Sequence, residues 1–264
     1  MNWHSARWFG LGAAFCAAML ARGSAQAASA APSPDAILRA ADIVRFPQQP
    51  FKLTNTLVEY INGKAHDSVV LSVYSKPDPA TAEFNTLVRY VEPPRDAGKM
   101  VLFNGTNLWF YDPASKESVR ISPQQRLIGQ AADGDVVTTN LSRDYAATML
   151  GAETLQDADR ADRDCWHLDL KPKAPGAVYA RIEIWIERSS SRPVKAKFYS
   201  DSGRMLKIAY YHRYSQVLDA VRPTETIIID AVDVNLVTTM TTAGFVAQAI
   251  PDAWFQRDFL PRVP

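Results

Sequence analysis

Apolar and polar residues alternate with a period of two along much of this chain. Residues 180–188 set Ile182, Ile184 and Ile186 against Glu183, Trp185 and Glu187. Residues 193–199 set Val194, Ala196 and Phe198 against Lys195, Lys197 and Tyr199. After the Asp201-Ser202-Gly203 turn, residues 204–213 set Leu206, Ile208 and Tyr210 against Lys207. Such alternation marks a strand with one buried face. Strands are also predicted at 54–61, 68–74, 83–91, 99–103, 108–111, 119–121, 153–156, 165–170, 224–230 and 234–241. Asn62-Gly63, Pro77-Asp78-Pro79, Glu92-Pro93-Pro94 and Asn104-Gly105 punctuate them as turns. The pattern is an antiparallel meander of roughly twelve strands, with the turn spacing of a sandwich or a barrel.

Five stretches depart from this rhythm. Ser33, Pro34 and Asp35 form a cap, a first-turn proline and an anion at a helix N-terminus, followed by Ile37, Leu38, Ala41 and Val44 on one face. Residues 142–150 predict a second helix, capped by Ser142, stopped by Gly151, with Tyr145, Met149 and Leu150 as its apolar side. Residues 243–260 read as a partly helical, aromatic tail, and 123–140 as a long polar loop. Residues 98–122 break the alternation differently. Met100 and Leu102 lie on one face and Val101 and Phe103 on the other, so these strands need cover on both sides.

The first 27 residues carry Arg7, a short apolar run and the small-x-small sequence Ala25-Gln26-Ala27. This is the pattern of a secretory signal, so residues 1–27 are expected to be removed and 28–264 to remain as a single domain. Removal leaves 27 basic against 28 acidic residues, which argues against a nucleic-acid binder tracking phosphates with a basic stripe. It also leaves Cys165 without a disulfide partner, and a small buried hydrophobe is the better reading of it than a reactive thiol.

Nothing in the chain assembles a recognisable catalytic motif. His66, His167 and His212 stand apart, with no second ligand at zinc spacing. There is no nucleophile elbow, no phosphate-binding glycine loop and no dinucleotide turn. Asp157, Asp159, Asp162 and Asp164 lack the glycine and the terminal Glu of a calcium loop, and read as a solvated hairpin. The expectation is a non-enzyme with no catalytic residue, no metal and no cofactor.

Several segments resemble the LolA-like outer-membrane lipoprotein-sorting family. They are Pro34-Asp35-Ala36-Ile37-Leu38, then Glu92-Pro93-Pro94 with Gly98-Lys99-Met100-Val101-Leu102, and Asn107-Leu108-Trp109-Phe110-Tyr111-Asp112-Pro113. Ile184-Trp185-Ile186-Glu187-Arg188, Arg192-Pro193-Val194-Lys195-Ala196 and Ile250-Pro251-Asp252-Ala253-Trp254-Phe255 continue it. The family tends to carry a Gly-Ser-aromatic-Ser run before the mid-chain helix, where this chain has Gly134-Asp135-Val136-Val137-Thr138-Thr139-Asn140. The resemblance implies an incomplete, half-open antiparallel β-barrel, mainly β, of about eleven to twelve strands, with helices covering its concave apolar side. It implies a periplasmic, monomeric carrier of lipid or lipoprotein acyl chains. A membrane exporter or an outer-membrane acceptor would be its partner. The alternative is a lipid-sensing or accessory module beside an RND-type exporter or an envelope-stress regulator. On that fold the expected cavity walls are Ile182, Ile184, Ile186, Val194, Phe198, Leu206 and Ile208 from the sheet, and Ile37, Met149 and Leu150 from the helices.

Overall fold

The computed structural model describes residues 31–81, 83–105 and 107–264. The expected signal segment therefore lies outside the described residues. The chain begins with α1 (Pro34–Arg45), β1 (Phe51–Ile61), β2 (Lys64–Pro77), β3 (Phe84–Glu92), β4 (Met100–Asn104), β5 (Leu108–Asp112) and β6 (Glu117–Ile121). A crossing segment follows, made of β7 (Arg126–Ile128), β8 (Ala131–Ala132), α2 (Asp133–Val136) and α3 (Leu141–Asp144). The second half is β9 (Tyr145–Gln156), β10 (Asp162–Pro172), β11 (Arg181–Glu187), β12 (Pro193–Tyr199), β13 (Met205–Val217), β14 (Ala220–Asp230) and β15 (Leu236–Ala247). Two short 3₁₀ segments, Asp252–Phe255 and Arg257–Arg262, end it.

Among the described residues, thirteen strands make one antiparallel sheet in the order β6-β5-β4-β3-β2-β1-β15-β14-β13-β12-β11-β10-β9. Two meanders thus meet where β1 pairs with β15, Leu57 facing Met240. The sheet does not close. Its free edges, β6 and β9, are consecutive strands of the large sheet, so the intervening residues 122–144 must cross from one edge to the other. They cross on the concave side, and this topology makes them a plug.

Helix α1 forms as the capping residues require. Ser33 Oγ accepts from Ala36 N–H, and Ile37, Leu38 and Ala41 are buried. Its C-terminal carbonyls, on Ile43 and Val44, accept from Nη1 of the buried Arg222.

Strands β4 and β5 are covered on both faces. Val101 and Leu108 join the inner core with Phe51, Leu71 and Val88. Met100, Leu102 and Tyr111 pack on the outer side under Ile250, Phe255 and Leu260 of the tail. The tail is a strap on the outer face, and Tyr74 meets its Trp254 edge-on at 5.3 Å between ring centroids.

The predicted helix at 142–150 is corrected. One helical turn ends at Asp144, and Tyr145 to Gln156 is an edge strand paired with β10. Tyr145, Ala147 and Met149 turn inward while Ala146, Thr148 and Leu150 face solvent. The same apolar residues fit both periods, and the open ladder edge of β10 decides for the strand.

Candidate functional site

The concave side holds a cavity of about 110 Å³. Its sheet wall is Leu53 and Asn55 of β1, Val73 of β2, Ile182 of β11, Phe198 of β12, Lys207, Ala209 and Tyr211 of β13, Ile228 of β14, and Met240 and Phe245 of β15, among others. Its roof is Gly134 to Thr139, Leu141, Asp144 and Tyr145, with Arg45 and Phe46 from the end of α1 and Val178 and Tyr179 from the β10–β11 connection. Val136, Val137 and Leu141 are buried, the two valines packing into the core beside Phe51 and Leu53 and Leu141 into that beside Ile182.

Three polar latches hold the roof down. The first is Asp135, whose carboxylate accepts from Tyr179 Oη–H at 2.6 Å, from Ala132 N–H at 2.8 Å and from the Lys207 ammonium. Lys207 is buried and also donates to Gln130 O at 3.3 Å. Its ammonium lies over the rings of Tyr179 and Phe198. The second latch is a buried hydroxyl cluster, with Thr138 Oγ1 at 2.6 Å from Ser75 Oγ, itself at 3.2 Å from Thr86 Oγ1. The third is Asp42 on α1. It accepts from Ser142 N–H at 2.7 Å, Leu141 N–H at 3.2 Å and Arg45 Nη1 at 3.0 Å. Asp42 thereby caps the first turn of α3 from a different helix.

Burial and the neighbouring Asp135 push the Asp133 carboxyl up to about 7. Burial also drives the Tyr145 hydroxyl up to about 12 and the Tyr179 hydroxyl well above its ordinary value. Gly134 is fixed sterically: a Cβ there would meet Val178 Cγ1 at 2.6 Å and Pro123 O at 2.9 Å.

The expected wall residues fall in several places. Ile182 and Phe198 line the cavity. Ile37, Ile184 and Ile186 belong to the packed cluster around it, with Met149 and Leu206 against that cluster, and none of these five lines the void. Val194 packs instead with Cys165 and Trp185. A register shift between Trp185 and Ile186 takes it out of line with Ala196 and Phe198. Lys207 and Ala209 occupy the cavity face of β13, so Ile208 points to the opposite side. Leu150 is 51% exposed on the edge strand. The polar roof residues Asp135 and Thr138 and the inward Lys207 were not anticipated. The one available signal was the departure of residues 134–140 from the family's run.

The remaining chemistry-bearing residues stay dispersed. His66 pairs with Glu59 at 2.9 Å, His167 stacks on Trp185 at 4.1 Å, and His212 lies 3.6 Å from Asp159 and 3.8 Å from Glu225. Asp157 folds its hairpin by accepting from the backbone of Asp159 and Ala161. No group of three or more His, Cys, Asp or Glu among the described residues is arranged to hold a metal ion. Burial pushes the Cys165 thiol up to about 12, away from thiolate chemistry. No helix among the described residues is long and apolar enough to cross a membrane.

An open antiparallel sheet curled round an apolar interior and stoppered by the segment joining its own two edges defines a half-barrel with a plugged cavity. The chain belongs to the LolA superfamily. It is similar to a LolA superfamily protein from Nitrosomonas europaea, at 31% identity over 87% of this chain and 100% of that one, with a TM-score of 0.77. A family model described only as an uncharacterized protein matches residues 83–262. The fold also matches a DUF1329 family protein from Desulfovibrio piger, at 18% identity over 86% and 97% of the two chains, with a TM-score of 0.72. It matches as well a Vibrio parahaemolyticus domain described as an outer membrane lipoprotein-sorting protein, at 19% identity over 87% and 98%, with a TM-score of 0.70. No curated protein matches the chain.

Proposed function

We propose that residues 28–264 form one exported, periplasmic domain that binds acyl chains of lipoproteins or lipids and passes them toward the outer membrane. It acts as a monomeric, non-enzymatic carrier. The observation that carries this reading is the plug. A segment with three buried valine and leucine side chains lies over an apolar wall and is fastened by a few polar latches, so it can leave as a unit. Ile182 and Phe198 are then the contact residues of the wall, with Ile37, Ile184 and Ile186 as the core behind them.

The volume sets the mechanism. A dry apolar cavity of about 150 Å³ holds one benzene ring. The cavity of about 110 Å³ therefore takes only the end of a chain. A sixteen-carbon chain is far larger than a benzene ring, so Val136, Val137 and Leu141 must withdraw to admit it. Transfer of such a chain from water is favourable by about 12 kcal/mol at about 0.8 kcal/mol per methylene. A membrane offers nearly the same. The cost of lifting the plug lowers the net affinity, and that is what lets a carrier give its cargo up. The small resting volume also favours a second reading, in which the interior stays filled and the domain works as an accessory or sensing module beside a membrane partner.

Native mass spectrometry of the protein taken from its own compartment tests the carrier. An acyl adduct, or uptake of added myristate, is expected. A bare mass with no extractable lipid and no uptake would sink it.

A further inference from the structure

A second hollow opens beside the plug. It measures about 530 Å³ and lies between the β7–β8 hairpin, the start of β13 and the β14–β15 turn. Tyr179 and Lys207 belong to the walls of both this mouth and the inner cavity. The two spaces therefore share a wall, and both of these residues bond Asp135, which lines the inner one.

The mouth is lined by Arg126, Arg204 and Lys207 and by one acid, Asp230. The acid's Oδ1 accepts from the backbone of Val232 and Asp233 at 2.8 and 2.9 Å, which ties it to its own turn while it keeps its charge. Arg126 is held by Glu59 at 2.9 Å. Arg204 is exposed and its guanidinium has no hydrogen-bond or ion-pair partner among the described residues. Among the described residues Lys207 has a single carboxylate partner, that of Asp135 on the plug. Lifting the plug removes that carboxylate and leaves the ammonium without a counter-charge at the inner end of the mouth, where another anion can take its place. Met205, Leu206 and the 83% exposed Val232 give the mouth an apolar lip.

We propose that this mouth is a head-group subsite for a single-chain amphiphile with an anionic head, a carboxylate or a phosphate. The head replaces Asp135 on Lys207, with Arg204 as its outer contact, as the tail enters beneath the lifted plug. The exchange keeps the ammonium paired throughout, so arrival of the head and release of the plug are one event. This rests on the acyl-carrier reading and adds the class of cargo to it.

The test is displacement of the neutral fluorophore N-phenyl-1-naphthylamine by three ligands of equal chain length: myristate, tetradecyl phosphate and tetradecanol. Charge-assisted contacts to two cations should make at least one anion about tenfold more effective than the alcohol. The tighter anion names the head. Arg204→Ala, on the surface, should shrink that preference about threefold, and Lys207→Met should abolish it while the alcohol binds at least as well as before. Equal displacement by all three, or a preference that survives both substitutions, overturns the head-group subsite and leaves the carrier intact. Displacement by none of the three counts against the carrier reading itself.

Discussion

Replacing Asp42 by alanine should make the protein less stable and better at binding acyl chains. Asp42 is 4% exposed and is the acceptor for Leu141 N–H, Ser142 N–H and Arg45 Nη1. The substitution leaves two backbone donors and a guanidinium without it. A buried orphaned donor costs about 1–3 kcal/mol, and water entering the space vacated by the carboxylate recovers part of that. The net loss is set at about 3 kcal/mol. For a chain of this size each kcal/mol lowers Tm by about 2–4 °C, so the expected fall is about 6–12 °C. The hydrogen bonds from Leu141 and Ser142 to Asp42 exist only while the plug is seated. These two carry about 2 of the 3 kcal/mol, so lifting the plug becomes easier by about that much and the apparent affinity for myristate rises by up to about 30-fold. Thermal unfolding by circular dichroism and a myristate titration read the two effects. An unchanged Tm would refute the latch. A lower Tm with unchanged or weaker binding would show that Asp42 stabilises the fold without governing access to the cavity.

The Asp133 carboxyl, raised to about 7 by burial and by Asp135, makes stability depend on pH. Below about pH 4 it is protonated in folded and unfolded chains alike. As pH rises the unfolded chain ionises first, so this contribution is lost between about pH 4 and 7, amounting to about 4 kcal/mol. Denaturant melts of the wild type and Asp133→Asn should diverge across that window, the variant becoming the more stable by pH 8; parallel curves would contradict the assignment. Phe255→Ala removes a buried ring from the outer strap, where it packs near Leu102 and Tyr111. It should cost about 3–5 kcal/mol in urea unfolding, yet leave the myristate affinity of the folded protein unchanged; a matching loss of affinity would tie the outer face to the cavity.

Legibility of the fold in the sequence followed the strength of local signals. Helix α1 was readable because Ser33, Pro34 and Asp35 each do a separate job at its N-terminus and Ile37, Leu38 and Ala41 share a face. The central strands were readable because Ile182, Ile184 and Ile186 are all fully buried on one side. The doubly apolar β4 and β5 called for two covers, and the core and the tail supply them. The edge strand after Asp144 was misread because Tyr145 and Met149 satisfy a helical spacing as well as an alternating one. Only the ladder edge of β10, far along in sequence, separates the two. The site was less legible than the fold for the same reason. On β13 the apolar Leu206 and Ile208 looked like the wall, whereas Lys207 is 5% exposed and faces the cavity. A lysine can be placed inside only when its carboxylate is known, and that carboxylate belongs to Asp135, 72 residues away. Val194 left the wall through a bulge, which strand periodicity does not announce.

The central claim is that acyl chains enter only when residues 133–144 lift off the sheet. Ser75 Oγ and Thr138 Oγ1 lie 2.6 Å apart, one on β2 and the other on the plug. Ser75→Cys with Thr138→Cys places two thiols where a disulfide can pin the plug, and the one remaining described cysteine, Cys165, is buried elsewhere. Myristate binding to this double variant should fall by at least about tenfold on oxidation and return on reduction. Equal binding by the oxidised and reduced forms would contradict the account.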